Sequence, residues 1–379
     1  MRKKLTDMCT IQYGYAFDSK EFTDNSNFPQ LVRIRDVKRG YSETFFRGKY
    51  SLEYIIHTGD LLIGMDGEFN IARWRSGDAL LNQRVCKVTV KEDVDEEYLR
   101  FSLSRALKQI ENRTSFVTVK HLSTKELNSL ELECPNIQKQ KEISDRLVKI
   151  EEIISLRQQQ LAKLDELVKA RFVEMFGDML LNPMAWPEVV LETLADIVSG
   201  ITKGRKVKEQ TLLEVPYMAV SNVKDGYIDW TTVKTILATE QEIEQYRLFP
   251  DDVLMTEGGD PDKVGRGAII KEPLENCIHQ NHIFRVRLDK EKILPAFFAE
   301  YLQHQKSKRY FLGCAKQTTG IASINMKQLQ ALPVLLPPLD LQQQFDDFAR
   351  QIERVRCSIQ NCLGQMETLK KALIQQYFG

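Results

Sequence analysis

The chain has no excess charge of either sign: 53 lysines and arginines meet 53 aspartates and glutamates over 379 residues. Duplex DNA normally selects for a basic face, so any such face here must be local or supplied by partners. No apolar run reaches 18 residues, and the basic start MRKKLTDMCTIQYG is not followed by an apolar segment. Neither membrane insertion nor secretion is therefore indicated, and a cytoplasmic setting is expected. The cysteines (Cys9, Cys86, Cys134, Cys277, Cys314, Cys357 and Cys362) are odd in number and show no C-x-x-C spacing, which argues against a disulfide framework and a zinc knuckle.

Catalytic signatures are equally scarce. A phosphate loop needs four residues between its glycines and then Lys-Ser/Thr. Gly200 and Gly204 are separated by three, and Arg-Lys-Val follows. The Pro-Asp pairs at 250–251 and 261–262 are not followed by an acidic-x-Lys element, so a metal-dependent nuclease centre is missing. Asn182-Pro183-Met184 is not the Pro-Pro-aromatic element that holds a flipped base, and no glycine-rich methyl-donor loop is present. His279 and His282, three apart at a strand entry, would point to opposite faces and hold no metal. No catalytic residue and no metal ligand is assigned.

What the chain does contain is a repeat. Residues 135–177 align without a gap on 337–379 at a constant offset of 202, and 12 of the 43 positions are identical, among them Gln140/Gln342, Ile150/Ile352, Glu151/Glu353, Ala170/Ala372 and Phe176/Phe378. Composition alone would give about two or three. In the second copy Phe345, Ile352, Ile359, Met366 and Leu373 recur every seven residues, with Phe348, Val355, Cys362 and Leu369 as the companion series three on. In the first copy Leu147, Ile154, Leu161, Val168 and Met175 do the same, with Ile143, Ile150 and Leu164 beside them as a broader stripe. Sustained heptads of this kind predict two rod-like helices, each ~55 Å long at ~1.5 Å per residue.

The segments before the rods also match. One reads FPQLVRIRDVKRGY, HTGDLLIGMDGEFNIARWRSG and ALLNQRVCKVTV; the other reads VPYMAVSNVKDGYI, FPDDVLMTEGGDPDKVGRGAII and NCIHQNHIFRVRL. Each is a series of short strands broken by a Gly-rich loop, then a helix, then a Pro-bounded strand. The expected fold class is α+β: two globular domains with curved mixed sheets, separated by two long helices packed as an antiparallel coiled coil with pseudo-twofold symmetry. The boundaries read as a first globular domain over 1–136, a central helix over 137–178, a second globular domain over 179–338 and a C-terminal helix over 339–379.

Polar side chains on loops held by a sheet are the candidate contacts. In the first block these are Arg33, Lys38, Gly67, Glu68, Asn70, Gln83, Arg84 and Lys120. In the second they are Lys203, Lys206, Asn222, Glu257, Gly258, Asp260, Lys263, Arg266, Gln280, Asn281 and Thr319. Glutamine and asparagine can pair in bidentate fashion with adenine, arginine with guanine, and carboxylates can accept from cytosine. On the first rod Ile153, Ile154, Leu167 and Val168 are candidate partner contacts, because that helix has apolar residues on more faces than one seam uses.

The order of block, heptad helix, block and heptad helix, together with IGMDGEFNIARW, LLNQRVCKV, TEGGDPDKVGRG and the turns PPLDLQQQF and PNIQKQKEI, resembles the DNA-specificity subunit of type I restriction-modification systems. The resemblance spans essentially the whole chain. It implies two target-recognition domains, each reading half of an asymmetric bipartite DNA sequence, with the helices setting the spacer and docking two adenine methyltransferase subunits, which restriction subunits join. On this reading the chain is non-catalytic. It binds no cofactor itself, and S-adenosylmethionine, ATP and Mg2+ belong to the partners. A coiled-coil scaffold whose blocks bind protein would keep the helices but not explain polar Gly-rich loops repeated in corresponding places.

Overall fold

The computed structural model describes residues 1–113, 120–205, 211–260, 263–318 and 321–379. They form two compact units: Met1–Gln158 with Gln360–Gly379, and Gln159–Ile359. Each unit thus contains one globular block, half of the first long helix (Ile137–Phe176) and half of the second (Leu339–Phe378).

In the first unit a four-stranded antiparallel sheet runs in the order Cys9–Tyr13, Val85–Val90, Leu61–Gly64, Asn70–Arg73. The second unit repeats it as Ala195–Ser199, Ile283–Leu288, Val253–Thr256, Gly267–Ile269. The third strand of each series is buried throughout, and its alternation divides it between two cores. Leu61 and Ile63 face one cluster while Leu62 faces another, which contains Trp74 and Val85. Val253 and Met255 likewise face away from Leu254. The expected mixed pairing lies in a separate sheet, where Gln30–Val32 runs parallel to Ala79–Leu81, matched in the second unit by Leu213–Met218 against Ile278–His279. The two sheets meet at a glycine in each unit. A Cβ on Gly14 would lie 2.1 Å from the Asn82 carbonyl oxygen, and one on Gly200 would lie 2.0 Å from that of His279, so only glycine fits.

The halves of the long helices run antiparallel within each unit. In the first unit Arg146 donates to the Tyr377 hydroxyl (3.0 Å) and Lys370 pairs with Glu151 (2.6 Å). In the second, Arg356 pairs with Asp165 (2.5 Å) and Phe172 contacts Phe345 edge-on at 5.4 Å. These contacts correct the sequence reading of the second helix. Its companion seam series is not Phe348, Val355, Cys362 and Leu369, since Val355 and Leu369 are exposed. The half-buried series lies four residues after the first: Ala349, Arg356, Leu363, Lys370 and Tyr377. Two of its members are cations paired across the helices, which a search for apolar heptads passes over. Charged residues at seam positions favour one register and orientation of the pair. The breadth of the stripe on the first helix has the same source, because Ile143, Ile150 and Leu164 belong to the second series of an ordinary seam.

Each helix is tied to its block by a repeated glutamine that is fully buried. The Gln140 amide accepts from the Asp95 N–H (3.0 Å) and donates to the Pro135 carbonyl (2.8 Å). The Gln342 amide accepts from the Leu294 N–H (2.9 Å) and donates to the Pro337 carbonyl (2.9 Å). Replacing Gln342 by leucine orphans backbone groups at both ends of this link, so Gln342→Leu is expected to lower the unfolding free energy by about 2–4 kcal/mol in denaturant titration.

His279 is also buried, with Nδ1 3.1 Å from the Tyr246 carbonyl oxygen and Nε2 3.3 Å from that of Val198. Burial lowers its pKa to about 4 against the partial opposition of these carbonyls. Because the folded value lies below the unfolded one, the stabilising contribution is complete above the unfolded pKa of about 6.5 and is lost as pH falls from there towards 4. Stability of the second unit is expected to fall by about 3 kcal/mol over that window. Unfolding curves at pH 7 and pH 4.5 should show the loss, and His279→Gln should remove this pH dependence.

Candidate nucleic-acid interface

The parallel pairings place the two blocks in register. Val32 opposite Leu81 corresponds to Met218 opposite His279. Counting on from these, Arg33, Ile34, Arg35 and Asp36 match Ala219, Val220, Ser221 and Asn222, while Asn82, Gln83 and Arg84 match Gln280, Asn281 and His282. Hydrogen bonds agree residue for residue. The Gln83 N–H donates to the Tyr15 carbonyl (2.7 Å) and the Asn281 N–H to that of Ile201 (3.0 Å). The Met65 N–H donates to the Arg84 carbonyl (2.9 Å) and the Glu257 N–H to that of His282 (3.0 Å).

On this common frame the first unit opens a cleft of about 440 Å³ that brings together Arg33, Gln83 and Arg84 with Arg35, Asn82 and Phe17. Arg84 is in the left-handed region, with φ 69°, which non-glycine residues seldom adopt outside tight or functional sites. Its guanidinium lies 3.0 Å from His121 Nε2 and 3.7 Å from the Asp66 carboxylate, and His121 is itself hydrogen-bonded to Asp66. In the second unit His282, which matches Arg84, pairs with Glu257, at 2.5 Å, from the position that matches Met65. Arg35 and His121 escaped the sequence reading. Arg35 could have been found by its neighbour Arg33 in LVRIRD, whereas His121 reaches the loop only through the folded chain.

The other candidates are dispersed. Lys38 and Glu68 pair with each other in the open (3.0 Å). Gly67, at φ 70°, donates its N–H to the Lys120 carbonyl, and the Lys120 ammonium donates to the Glu111 carbonyl. Asn70 and Arg266 occupy the same position of the two hairpins, each with a buried polar atom, Oδ1 and Nε, that lacks a hydrogen-bond partner. Asp260 pairs with Lys263, whose ammonium holds the carboxyl below its ordinary range. Lys203 is exposed, and Gln280 and Asn281 are half-buried beside the strand junction. Gly258, expected in an open loop, instead pairs with Ser323 in a strand. Lys206 and Thr319 lie outside the described residues.

Asn222 has to be withdrawn from the contact set. It is fully buried, its Oδ1 accepts from the Ala219 N–H (2.9 Å) and its Nδ2 donates to the Asp229 carbonyl (2.9 Å). Asp36 does the equivalent work in the first unit, accepting from the Arg33 N–H (3.0 Å). Both residues hold a turn. Among the described residues no cluster of three or more histidines, cysteines or carboxylates could hold a metal, and no helix is long and apolar enough to cross a membrane.

A family model described as the type I restriction modification DNA specificity domain matches residues 1–166 and 184–362, once for each unit's globular block. The chain belongs to this family. Its relatives include the type I restriction enzyme EcoBI specificity subunit of Escherichia coli, 26% identical over 412 residues that take in 100% of this chain and 85% of that protein. The type I restriction enzyme MjaVIII specificity subunit of Methanocaldococcus jannaschii is 22% identical, over 85% of this chain and 79% of that one. The fold is also that of a type I restriction-modification S subunit from M. genitalium, with a TM-score of 0.61 at 13% identity, covering 100% of this chain and 96% of that one.

On the helices, the chain's 202-residue repeat shows a second regularity. Ile153 and Leu167 are 39% and 46% exposed, and their equivalents 202 residues on, Val355 and Leu369, are 47% and 42% exposed. Ile154 is half-buried, and Val168 packs against the core of the second unit. Of the four partner candidates, Ile153 and Leu167 therefore remain free, whereas Ile154 and Val168 belong to the seam series.

Proposed function

We propose that this chain is the sequence-reading subunit of a type I restriction-modification complex, with each globular block reading one half of an asymmetric bipartite DNA target. The observation that carries this is the matched frame with unmatched side chains. One backbone scaffold recurs in both units, but it presents Arg33, Arg35, Gln83 and Arg84 in one and Ala219, Ser221, Asn281 and His282 in the other. A shared scaffold fixes how each block meets a duplex, and different side chains select different bases. The helices set the spacer between half-sites, and their repeated exposed apolar positions dock two methyltransferase subunits, with restriction subunits joining that complex. Methyl transfer and cleavage, with S-adenosylmethionine, ATP and Mg2+, fall to those partners. The near-neutral charge fits a reader whose partners contribute much of the phosphate contact.

The test is the methylated motif of a strain expressing the complex. Changing Gln280, Asn281 or Arg266 to alanine is expected to relax only one half-site, at a cost of about 1–3 kcal/mol for a lost bidentate contact. Equal relaxation of both half-sites would show that the blocks do not read independently.

A further inference from the structure

We propose that the cleft bearing Arg33, Arg35 and Arg84 is a guanine-reading site of the first unit, and that the matching positions of the second unit form no such site. The proposal rests on the reading of the two blocks as independent DNA readers and names the base that one of them selects. Three arginines line one open cleft about 440 Å³ in volume. They differ in how they are held. Arg84 is held by His121, 3.0 Å away, on a backbone in the left-handed region, which is an arrangement maintained against local strain, and the Asp66 carboxylate lies 3.7 Å from its Nε. Arg35 is exposed and only loosely paired, its Nε lying 3.7 Å from the Asp36 carboxylate. Among the described residues no hydrogen bond or ion pair engages the Arg33 guanidinium or the Gln83 amide.

Guanine is the base whose major-groove edge offers two adjacent acceptors, N7 and O6, and a guanidinium presents paired donors to match them. The first unit brings three arginines to one cleft, Arg33 with no guanidinium partner among the described residues, Arg35 loosely paired and Arg84 partly engaged by His121 and Asp66. At the same register the second unit has Ala219, Ser221 and His282, and His282 is occupied by Glu257. The strand frame is common to both units, so the difference lies in these side chains and in the left-handed backbone that Arg84 has and His282 lacks.

The test uses the assembled complex of the full chain with its methyltransferase subunits, and target duplexes in which each guanine in turn is replaced by 7-deazaguanine. This base pairs normally but lacks the N7 acceptor. One guanine in the half-site that is insensitive to changes at Gln280, Asn281 and Arg266 is expected to lose roughly 5- to 150-fold in affinity. That penalty should vanish in Arg33→Ala or Arg84→Ala, where the contact is already gone. Arg33→Lys separates base reading from phosphate binding, since it keeps the charge and the salt dependence but loses the fork. Lost discrimination with an unchanged salt slope supports the proposal. Full discrimination in Arg33→Lys and Arg84→Lys, or a first half-site indifferent to 7-deazaguanine, overturns it and leaves the two-reader function standing. A complex that binds all duplexes alike would overturn both.

Discussion

Aspartate at both Ile153 and Leu167 is expected to abolish co-purification with the methyltransferase subunits while the isolated chain keeps its helical circular dichroism. Both side chains are substantially exposed, so folding gains little from them, and aspartate costs an exposed helix only about 0.7 kcal/mol per site relative to alanine. In an interface the balance is reversed. Two unpaired carboxylates buried against apolar partner surface cost several kcal/mol, which is at least about a thousandfold in affinity. The positions are two heptads apart, and the same pair returns as Val355 and Leu369 on the second helix. A random scatter of exposed apolar residues would not repeat at the 202-residue offset. Unchanged co-purification of the double variant would reject this surface.

The second large effect is expected at Phe176. Its ring is fully buried, with centroids of Phe172, Phe297 and Phe345 at 4.9, 4.8 and 5.6 Å. These four rings join the end of the first helix, the start of the second and the helix Pro295–Gln303 of the block. Phe176→Ala removes the centre of that junction and should cost about 3–5 kcal/mol. Hydrogen exchange should show the loss across the second unit. The equivalent Phe378 is only half-buried, with Tyr98 at 5.3 Å and Tyr377 at 6.4 Å. Phe378→Ala should therefore cost distinctly less, and equal losses would contradict the unequal packing.

The sequence by itself determined the duplication, the two long helices and the equivalence of the two blocks. These properties depend on local periodicity and on residue identity at a fixed offset, and a heptad remains a heptad wherever the helix is placed. Gln140 and Gln342 stood out as identities, although their work of tying helix to block became visible only with their backbone partners. The seam of the second helix was misassigned because half of it is polar in part: Arg356 and Lys370 are stabilised there by Asp165 and Glu151, residues 191 and 219 positions away in the chain. Likewise, no local signal separates Asn222, buried under a turn, from Asn281 at the rim of a strand junction. Asparagine serves both places, and only the surrounding contacts decide. The convergence of Arg33, Arg35 and Arg84 was also left to tertiary structure. The parallel pairing of Gln30–Val32 with Ala79–Leu81 brings together segments some fifty residues apart. Pairing over that distance depends on burial of both faces, Leu31 and Leu80 in one cluster and Val32 and Leu81 in another, which neither segment reveals alone.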